Sequence, residues 1–97
     1  MYKISDKTYK IAEEMGLEIF PSSNPDKKLE VYDKKTGNFL FYVGDSSYMD
    51  YHMYLEDEKK GIVPKGTADK RRKLYHNRHQ KDIDMKGRGY VVAKLLW

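Results

Sequence analysis

The sequence contains no cysteine at all among its 97 residues. A chain without cysteine forms no disulfide framework and no thiolate metal site, which excludes the small disulfide-rich scaffolds and most structural zinc sites. Its absence fits a reducing compartment, such as a cytosol or a particle assembled there.

Long hydrophobic runs are also missing. No stretch approaches the roughly 20 apolar residues that a membrane-spanning helix needs. The first 16 residues are charged throughout and lack the apolar segment of a signal peptide, so we expect no secretory leader. The apolar run GYVVAKLLW, residues 89–97, is too short to cross a bilayer and is expected to cover a core or a partner.

The composition predicts one small domain over residues 1–97. Hydrophobic residues make up 39% of the chain and charged residues 35%, so the core must be thin. The nine tyrosines, against three phenylalanines, indicate half-buried rings whose hydroxyls reach water or a partner.

Charge is distributed unevenly along the chain. Residues 1–58 carry a net charge of −5, whereas residues 59–97 carry +9. A chain polarised in this way contacts an anionic surface with one end, or its halves attract each other, or copies make head-to-tail contacts in an assembly.

The first part of the chain predicts a helix followed by a strand. Ser5 is a typical N-cap for a helix over residues 6–15, and Gly16 is a typical stop signal. Residues 17–20, LEIF, have the alternation of a short strand.

A β-hairpin over about residues 28–43 is the clearest local signal. Leu29 and Val31 alternate with polar or aromatic positions, and residues 39–43 are aromatic and β-branched. Gly37 supplies the positive φ that the connecting loop needs.

A helix after the hairpin is predicted from the segment SSYMDYHMYLEDEKKG. Ser46 or Ser47 is expected to cap it and Gly61 to end it. Its aromatic stripe predicts that Tyr48 and Tyr51 pack as core against the hairpin.

The remaining sequence predicts a third helix and a final short element. Thr67 is expected to cap a helix over about residues 68–80, and YVVAKLLW is a last short helix or strand. The fold class is therefore α+β, with an N-terminal helix, a β-hairpin and two to three C-terminal helices.

The third predicted helix is strongly basic and holds the candidate binding residues. Its cations can neutralise phosphates while Tyr75 stacks on a base, or its arginines can bind carboxylates of a protein partner. Alternatively, its arginines pair with the acidic segment LEDEKK just upstream. The candidate partner-binding or nucleic-acid-binding residues are Arg71, Arg72, Lys73, Tyr75, Arg78, His79 and Lys81.

Metal binding and catalysis receive little support. His76 and His79 have a spacing that permits a shared ion, but zinc needs a third protein ligand, and neither Asp82 nor His52 is well placed. The chain has no glycine-flanked serine elbow and no phosphate-binding loop. We therefore expect no enzyme, no metal, no cofactor and no small-molecule substrate.

The end of the sequence supplies further apolar residues. Trp97 is expected either to fold back and complete the core or to enter a pocket of a neighbour, so removing residues 95–97 should be severe. The candidate apolar anchors for a partner are Tyr48, Tyr51, Leu95, Leu96 and Trp97.

Residues 29–97 resemble a family of small proteins encoded by tailed phages and large DNA viruses. The resemblance lies in a strand pair that ends in Gly, a Y-x-D-[YF] segment, a basic R-x-x-Y-x-x-R-H helix and a terminal LLW. The corresponding positions are Gly44, Tyr48, Asp50, Tyr51, Arg71 or Arg72, Tyr75, Arg78, His79, Lys81, Leu95, Leu96 and Trp97. Gly89-Tyr90-Val91 replaces the more aromatic run of many relatives.

The resemblance implies a viral origin and a shared fold. We expect a capsid-associated virion protein that makes charge-complementary contacts with other viral subunits in many copies. Such a protein is present in the host cytoplasm during assembly and then in the virion. The alternative is a non-sequence-specific nucleic-acid-binding protein that uses the basic helix.

Overall fold

The computed structural model describes residues 2–97 and has the predicted α+β class. Its residues form two compact units, the first ending at Tyr48 and the second running from Met49 to Trp97, and each is described by itself. That residues 1–97 act as a single domain stays a prediction. Within residues 2–97, no helix combines the length and the apolar character needed to cross a membrane.

The first unit begins with helix α1, Asp6–Glu14. Ser5 caps it, because its hydroxyl accepts a hydrogen bond from the Thr8 backbone N–H at 3.1 Å. Asp6 places a negative charge in the first turn, where the helix dipole favours it. The predicted helix and its cap are confirmed.

A three-stranded antiparallel sheet follows α1. It comprises β1, Leu17–Pro21, β2, Lys27–Asp33, and β3, Phe39–Asp45, in the order β1-β2-β3. The predicted strand at residues 17–20 and the predicted hairpin are both confirmed, and β1 pairs with β2 to extend the hairpin.

The turn between β2 and β3 depends on Gly37, which has a φ of 76°. Its N–H donates to the Asp33 carbonyl at 2.7 Å. The Asp33 carboxylate also accepts from the backbone N–H of Lys35 at 2.8 Å. The turn therefore combines a left-handed glycine with an aspartate that satisfies loop donors, as short hairpin loops commonly do.

The two faces of the sheet differ in burial. Helix α1 packs against β1. Because side chains alternate between faces along a strand, one face is apolar and buried; its members are Ile19, Leu29, Val31 and Val43.

The opposite face is called here the aromatic sheet face, and the buried Lys28 lies near one end of it. This face also carries four rings and two carboxylates. Strand register places them in two rows across the sheet. The rows are Phe20, Glu30 and Tyr42, and Glu18, Tyr32 and Phe39.

The second unit contains four helices. Helix α2 packs on α3, and α4 packs on α5. Their bounds are Tyr51–Lys59 for α2, Thr67–Arg78 for α3, Gln80–Asp84 for α4 and Arg88–Leu96 for α5.

The start of α2 differs from the prediction. Asp50, fully buried, is the N-cap, and its carboxylate accepts from the Met53 N–H at 3.0 Å. Ser46 does not cap α2; its hydroxyl donates to the Pro25 carbonyl at 2.8 Å. Ser47 does not cap it either, because its hydroxyl bonds Asp45. The predicted serine caps are therefore wrong.

The later start of α2 also changes the place of Tyr48. This residue precedes the helix and is 70% exposed, so the prediction that Tyr48 is core is wrong. Tyr51, the first residue of α2, is half-buried. The prediction applied helical spacing to Tyr48, which lies before the first turn of α2.

The third helix also departs from its predicted bounds. Gly66, not Thr67, is the N-cap, and the Thr67 hydroxyl donates to the Pro64 carbonyl at 2.7 Å. The helix ends at Arg78, because His79 leaves helical geometry with φ −109° and ψ 17°. The segment predicted to run to residue 80 thus divides into α3 and α4.

Close packing joins α4 to α5 at Gly89. A Cβ built on Gly89 would lie 2.7 Å from the Cβ of Asp82, closer than side-chain atoms approach. Only glycine fits at this position without a shift of one helix.

The final segment is a helix, and its end is buried. Leu95 and Leu96 are fully buried, and the His52 ring lies with Nε2 3.1 Å from the Leu95 carbonyl oxygen. A carbonyl oxygen only accepts, so the His52 nitrogen donates. Burial of each leucine contributes about 1.5–3 kcal/mol relative to an exposed side chain.

We predict that Leu95→Ala lowers the free energy of unfolding by about 2–5 kcal/mol, because it removes transfer energy and leaves a cavity. Urea denaturation followed by circular dichroism measures this change. Met85→Ala is the control in the same unit, since Met85 is 79% exposed, and it should stay within about 0.5 kcal/mol. Equal losses in the two variants would contradict this account of the core.

Candidate anion-binding surface

Helices α3 and α4 carry a cluster of cations that we call the cation surface. All six side chains are exposed. Among residues 2–97, no carboxylate lies within 4.0 Å of any of them, so none takes part in an ion pair. The cation surface consists of Lys70, Arg71, Arg72, Lys73, Arg78 and Lys81.

The acidic segment upstream of α3 is used for other contacts. The Glu58 carboxylate accepts the Gly66 N–H at 2.9 Å and the Ala68 N–H at 2.7 Å. These donors lie at the start of α3, where backbone N–H groups lack partners within the helix. Glu56 pairs with Lys60 at 3.9 Å, and both side chains are exposed. The alternative in which this segment neutralises the arginines is not found.

A stack of aromatic rings supports α3. The Tyr75 and Trp97 rings are 4.7 Å apart at 7°, and the Tyr75 and His79 rings are 4.2 Å apart at 27°. Tyr54 adds a tilted contact with Trp97 at 6.3 Å. Trp97 is therefore folded back onto its own chain, one of the two arrangements expected for it.

Both faces of the Tyr75 ring are covered. Trp97 and His79 each stack on Tyr75, and among the described residues these two rings form no contact with each other. They therefore lie on opposite faces of the tyrosine. In this arrangement Tyr75 has no free face on which a nucleic-acid base can stack.

The covering of Tyr75 affects its ionisation. Burial raises the pKa of the Tyr75 phenol above its usual value of 10.0. The nearby Asp82 carboxylate raises it further, and Arg78 opposes the rise. The neutral phenol is thus favoured in the folded chain.

Two arginines of the cation surface lie over tyrosine rings of α2. The Arg72 guanidinium is 4.9 Å from the centroid of Tyr51, and the Arg71 guanidinium is 5.8 Å from that of Tyr54. The Tyr51 hydroxyl donates to Asp69 at 3.0 Å. Burial, followed by this hydrogen bond, raises the pKa of Tyr51. These contacts orient the planar groups while leaving them exposed.

The two histidines of the HNRH sequence have separate contacts. His79 stacks on Tyr75 and lies with Nδ1 3.7 Å from Asp82 Oδ2. His76 places Nε2 3.4 Å from the Trp97 carbonyl oxygen. Over residues 2–97, no three His, Asp or Glu side chains are grouped so that they hold a metal ion.

The candidate residues from the sequence divide into two groups. One group belongs to the ring contacts of the second unit: Arg71 lies over Tyr54, Arg72 lies over Tyr51, and Tyr75 stacks on Trp97 and His79. The remaining candidate cations are exposed and form no ring contact within residues 2–97; they are Lys73, Arg78 and Lys81.

The candidate anchors are not displayed as one apolar patch. Leu95 and Leu96 are buried within the chain, and Tyr51 and Trp97 are half-buried. Tyr48 alone among them is largely exposed. As placed here, the leucines serve the core.

Sequence reasoning missed three residues that shape this surface. They are Glu58, which binds the start of α3, and His52 and Tyr54, which bind or contact the end of α5. Glu58 lies eight residues before the glycine that precedes α3. No local signal pointed to this role, because Thr67 has the character of a cap in the sequence and only the structure shows Gly66 in that position.

Comparison with protein-family models, with curated proteins and with solved structures finds no match to this chain.

The raised pKa of Tyr75 predicts a dependence of stability on alkaline pH. Above pH 10 the phenol ionises in the unfolded chain and stays protonated in the folded one. The free energy of unfolding therefore falls as the pH rises through this range, up to the folded-state pKa. Below pH 10 the full contribution is present.

We expect the decline to be shallower in Tyr75→Phe, which keeps the ring and lacks the phenol. Urea denaturation between about pH 9 and about pH 11 measures it. Tyr48→Phe is the control, because this ring is 70% exposed, and it should retain the wild-type slope. An unchanged slope in Tyr75→Phe would show that the phenol does not couple to folding.

Proposed function

We propose that the chain is a structural protein without enzymatic activity, whose cation surface binds acidic side chains of neighbouring protein subunits. The single observation that carries this proposal is that six exposed cations lack any carboxylate partner within 4.0 Å among residues 2–97. A cluster of unneutralised cations is retained at a cost of mutual repulsion, which an anionic partner relieves.

The arginine–tyrosine contacts favour protein carboxylates as the anionic groups. Arg71 and Arg72 rest on tyrosine rings, so less side-chain freedom is lost when each guanidinium binds a carboxylate through two parallel hydrogen bonds. Arginine and tyrosine are also among the residue types that contribute most to binding at protein interfaces. Because His79 and Trp97 cover both faces of the Tyr75 ring, a nucleic-acid base has no face of this ring on which to stack. This argues against the part of the nucleic-acid hypothesis that relied on Tyr75.

The viral part of the proposal rests on the sequence resemblance of residues 29–97. In that setting the neighbouring subunits are other virion proteins, and the chain is a capsid-associated component present in many copies. Such a protein is expected to co-purify with particles at a fixed ratio to the other subunits.

Binding to a nucleic-acid backbone is the second candidate function. It is favoured by the exposure of all six members of the cation surface, since phosphate contacts need cations and no stacked base. This function predicts affinity for duplex and single strands alike, with a steep dependence on salt.

Fluorescence anisotropy distinguishes the two functions. We expect a glutamate-rich peptide of about twelve residues to bind the wild-type chain more tightly than a DNA duplex at about 150 mM salt. Arg71→Gln/Arg72→Gln should weaken peptide binding about 10-fold or more, because each lost charge-assisted hydrogen bond contributes about 1.5–3 kcal/mol.

The matched control is Lys7→Gln/Lys10→Gln, which removes the same charge from exposed positions of α1. It should change peptide affinity less than about two-fold, as expected for exposed charges that do not belong to the cation surface. Equal losses of peptide affinity in the two double variants would show that peptide binding depends on the net charge of the chain and not on the cation surface. Tighter binding of duplex than of peptide would favour the nucleic-acid function.

A further inference from the structure

The aromatic sheet face of the first unit is exposed although it is rich in apolar groups. Phe20 is 44% exposed and Phe39 47% exposed, and Leu40 beside them is 42% exposed. Three ring contacts link the four aromatic residues, with centroid distances of 5.6, 5.5 and 5.0 Å. These contacts form a continuous aromatic surface with its faces and edges open to a partner.

Two carboxylates lie within this face. Glu30 stands between Phe20 and Tyr42 on the neighbouring strands, and Glu18 stands beside Tyr32. Neither glutamate takes part in an ion pair within the described part of the chain.

Glu30 is held in a fixed, ionised form. Its carboxylate accepts from the Tyr32 hydroxyl at 2.6 Å and from the Ser23 N–H at 2.7 Å. These hydrogen bonds, that from Tyr32 first, lower the pKa of the Glu30 carboxyl. The face therefore presents negative charge together with the negative faces of aromatic rings, a combination that attracts cations.

Helix α3 carries the complementary chemistry. Lys70, Leu74 and Arg78 follow one another at intervals of four residues, so they form one row along the helix. Leu74 is 43% exposed between the two cations. The row spans about 12 Å along the helix axis.

The dimensions of the two surfaces agree. Glu18 and Glu30 lie on adjacent strands two positions apart, which separates their backbones by about 8 Å. Lysine and arginine side chains are long enough to cover the difference from the 12 Å row. A leucine between the cations then meets Phe20 and Tyr32, whose rings lie on the other diagonal of the same two rows.

We propose that the aromatic sheet face binds the Lys70–Leu74–Arg78 row of α3 in a second copy of this chain. This inference rests on the proposed function and names the partner whose acidic groups the cation surface binds. Because each chain carries both surfaces, the contact is head-to-tail, and it continues from copy to copy or closes into a ring.

Sedimentation of wild-type protein is the first test. We expect the average mass to rise with concentration between about 5 and about 500 µM at about 50 mM salt, and to fall at about 500 mM salt. A chain that stays monomeric across the whole range at low salt overturns the proposal.

Mixing two variants is the decisive test. Glu18→Gln/Glu30→Gln disables the sheet face, with the glutamine at residue 30 keeping an acceptor for Ser23 and Tyr32. Lys70→Glu/Arg78→Glu disables the helix row. Each variant alone should associate at least 10-fold more weakly than wild type, whereas a mixture should form a 1:1 pair and nothing larger, because each retains one intact surface.

Lys7→Glu/Lys10→Glu is the matched control, since it makes the same charge change in α1 and should keep wild-type association. Circular dichroism establishes that each variant is folded. A mixture that forms no pair overturns the proposal. So does wild-type association that both disabling variants retain.

The glutamate-peptide assay separates this inference from the proposed function. If the peptide binds the cation surface while the wild-type chain remains monomeric, the second copy is the wrong partner and the proposed function stands. If the peptide does not bind and the wild-type chain remains monomeric, both proposals fail. Binding of an arginine-rich peptide to the sheet face of a monomeric chain overturns the proposal and assigns that face to a basic segment of another protein.

Discussion

The placement of the Glu58 carboxylate determines what the rest of the second unit presents. Its two oxygens accept backbone N–H groups at the start of α3, at 2.9 and 2.7 Å. In that position the carboxylate interacts favourably with the helix dipole and satisfies donors that Gly66 has no side chain to bind. Among residues 2–97, the arginines of α3 are therefore left without an acidic partner, and their charge faces solvent.

A highly polar helix such as α3 needs contacts with its neighbours to hold its position. Its residues bury little apolar surface, with Ala68 the buried member, and Leu74 is 43% exposed. Rings supply the missing contacts: Tyr75 stacks between Trp97 and His79, and two tyrosines of α2 lie under arginines. The same aromatic contacts therefore fix the helix and orient its cations.

Local signals were sufficient for the first unit and insufficient for the second. The Ser5 cap, the alternation around Leu29 and the Gly37 turn are properties of short segments, and the structure confirms each. The serine caps of α2 were wrong because Ser46 and Ser47 bond to other groups. A cap depends on which competing partner lies nearby in space, and local sequence does not encode that.

The cation surface, too, could be predicted only in part from the sequence. The excess of cations near α3 follows from sequence alone, but their lack of partners depends on Glu58 reaching the helix start ten residues away. Likewise, the stack of Tyr75 on Trp97 joins residues 22 positions apart, and the sequence predicted only that Trp97 would find some apolar site. Pairings across such separations are set by tertiary packing.

A double-mutant cycle between Glu58 and Arg71 tests the central claim most directly. Arg71 lies over Tyr54, one turn before Glu58 on α2, and is therefore well placed to compete for this carboxylate. We predict that Glu58→Ala alone lowers the free energy of unfolding by about 1 kcal/mol through the lost helix contacts. Its coupling energy with Arg71→Gln should stay below about 0.5 kcal/mol. A favourable coupling above about 1 kcal/mol would show that Glu58 neutralises the arginine, which contradicts the account.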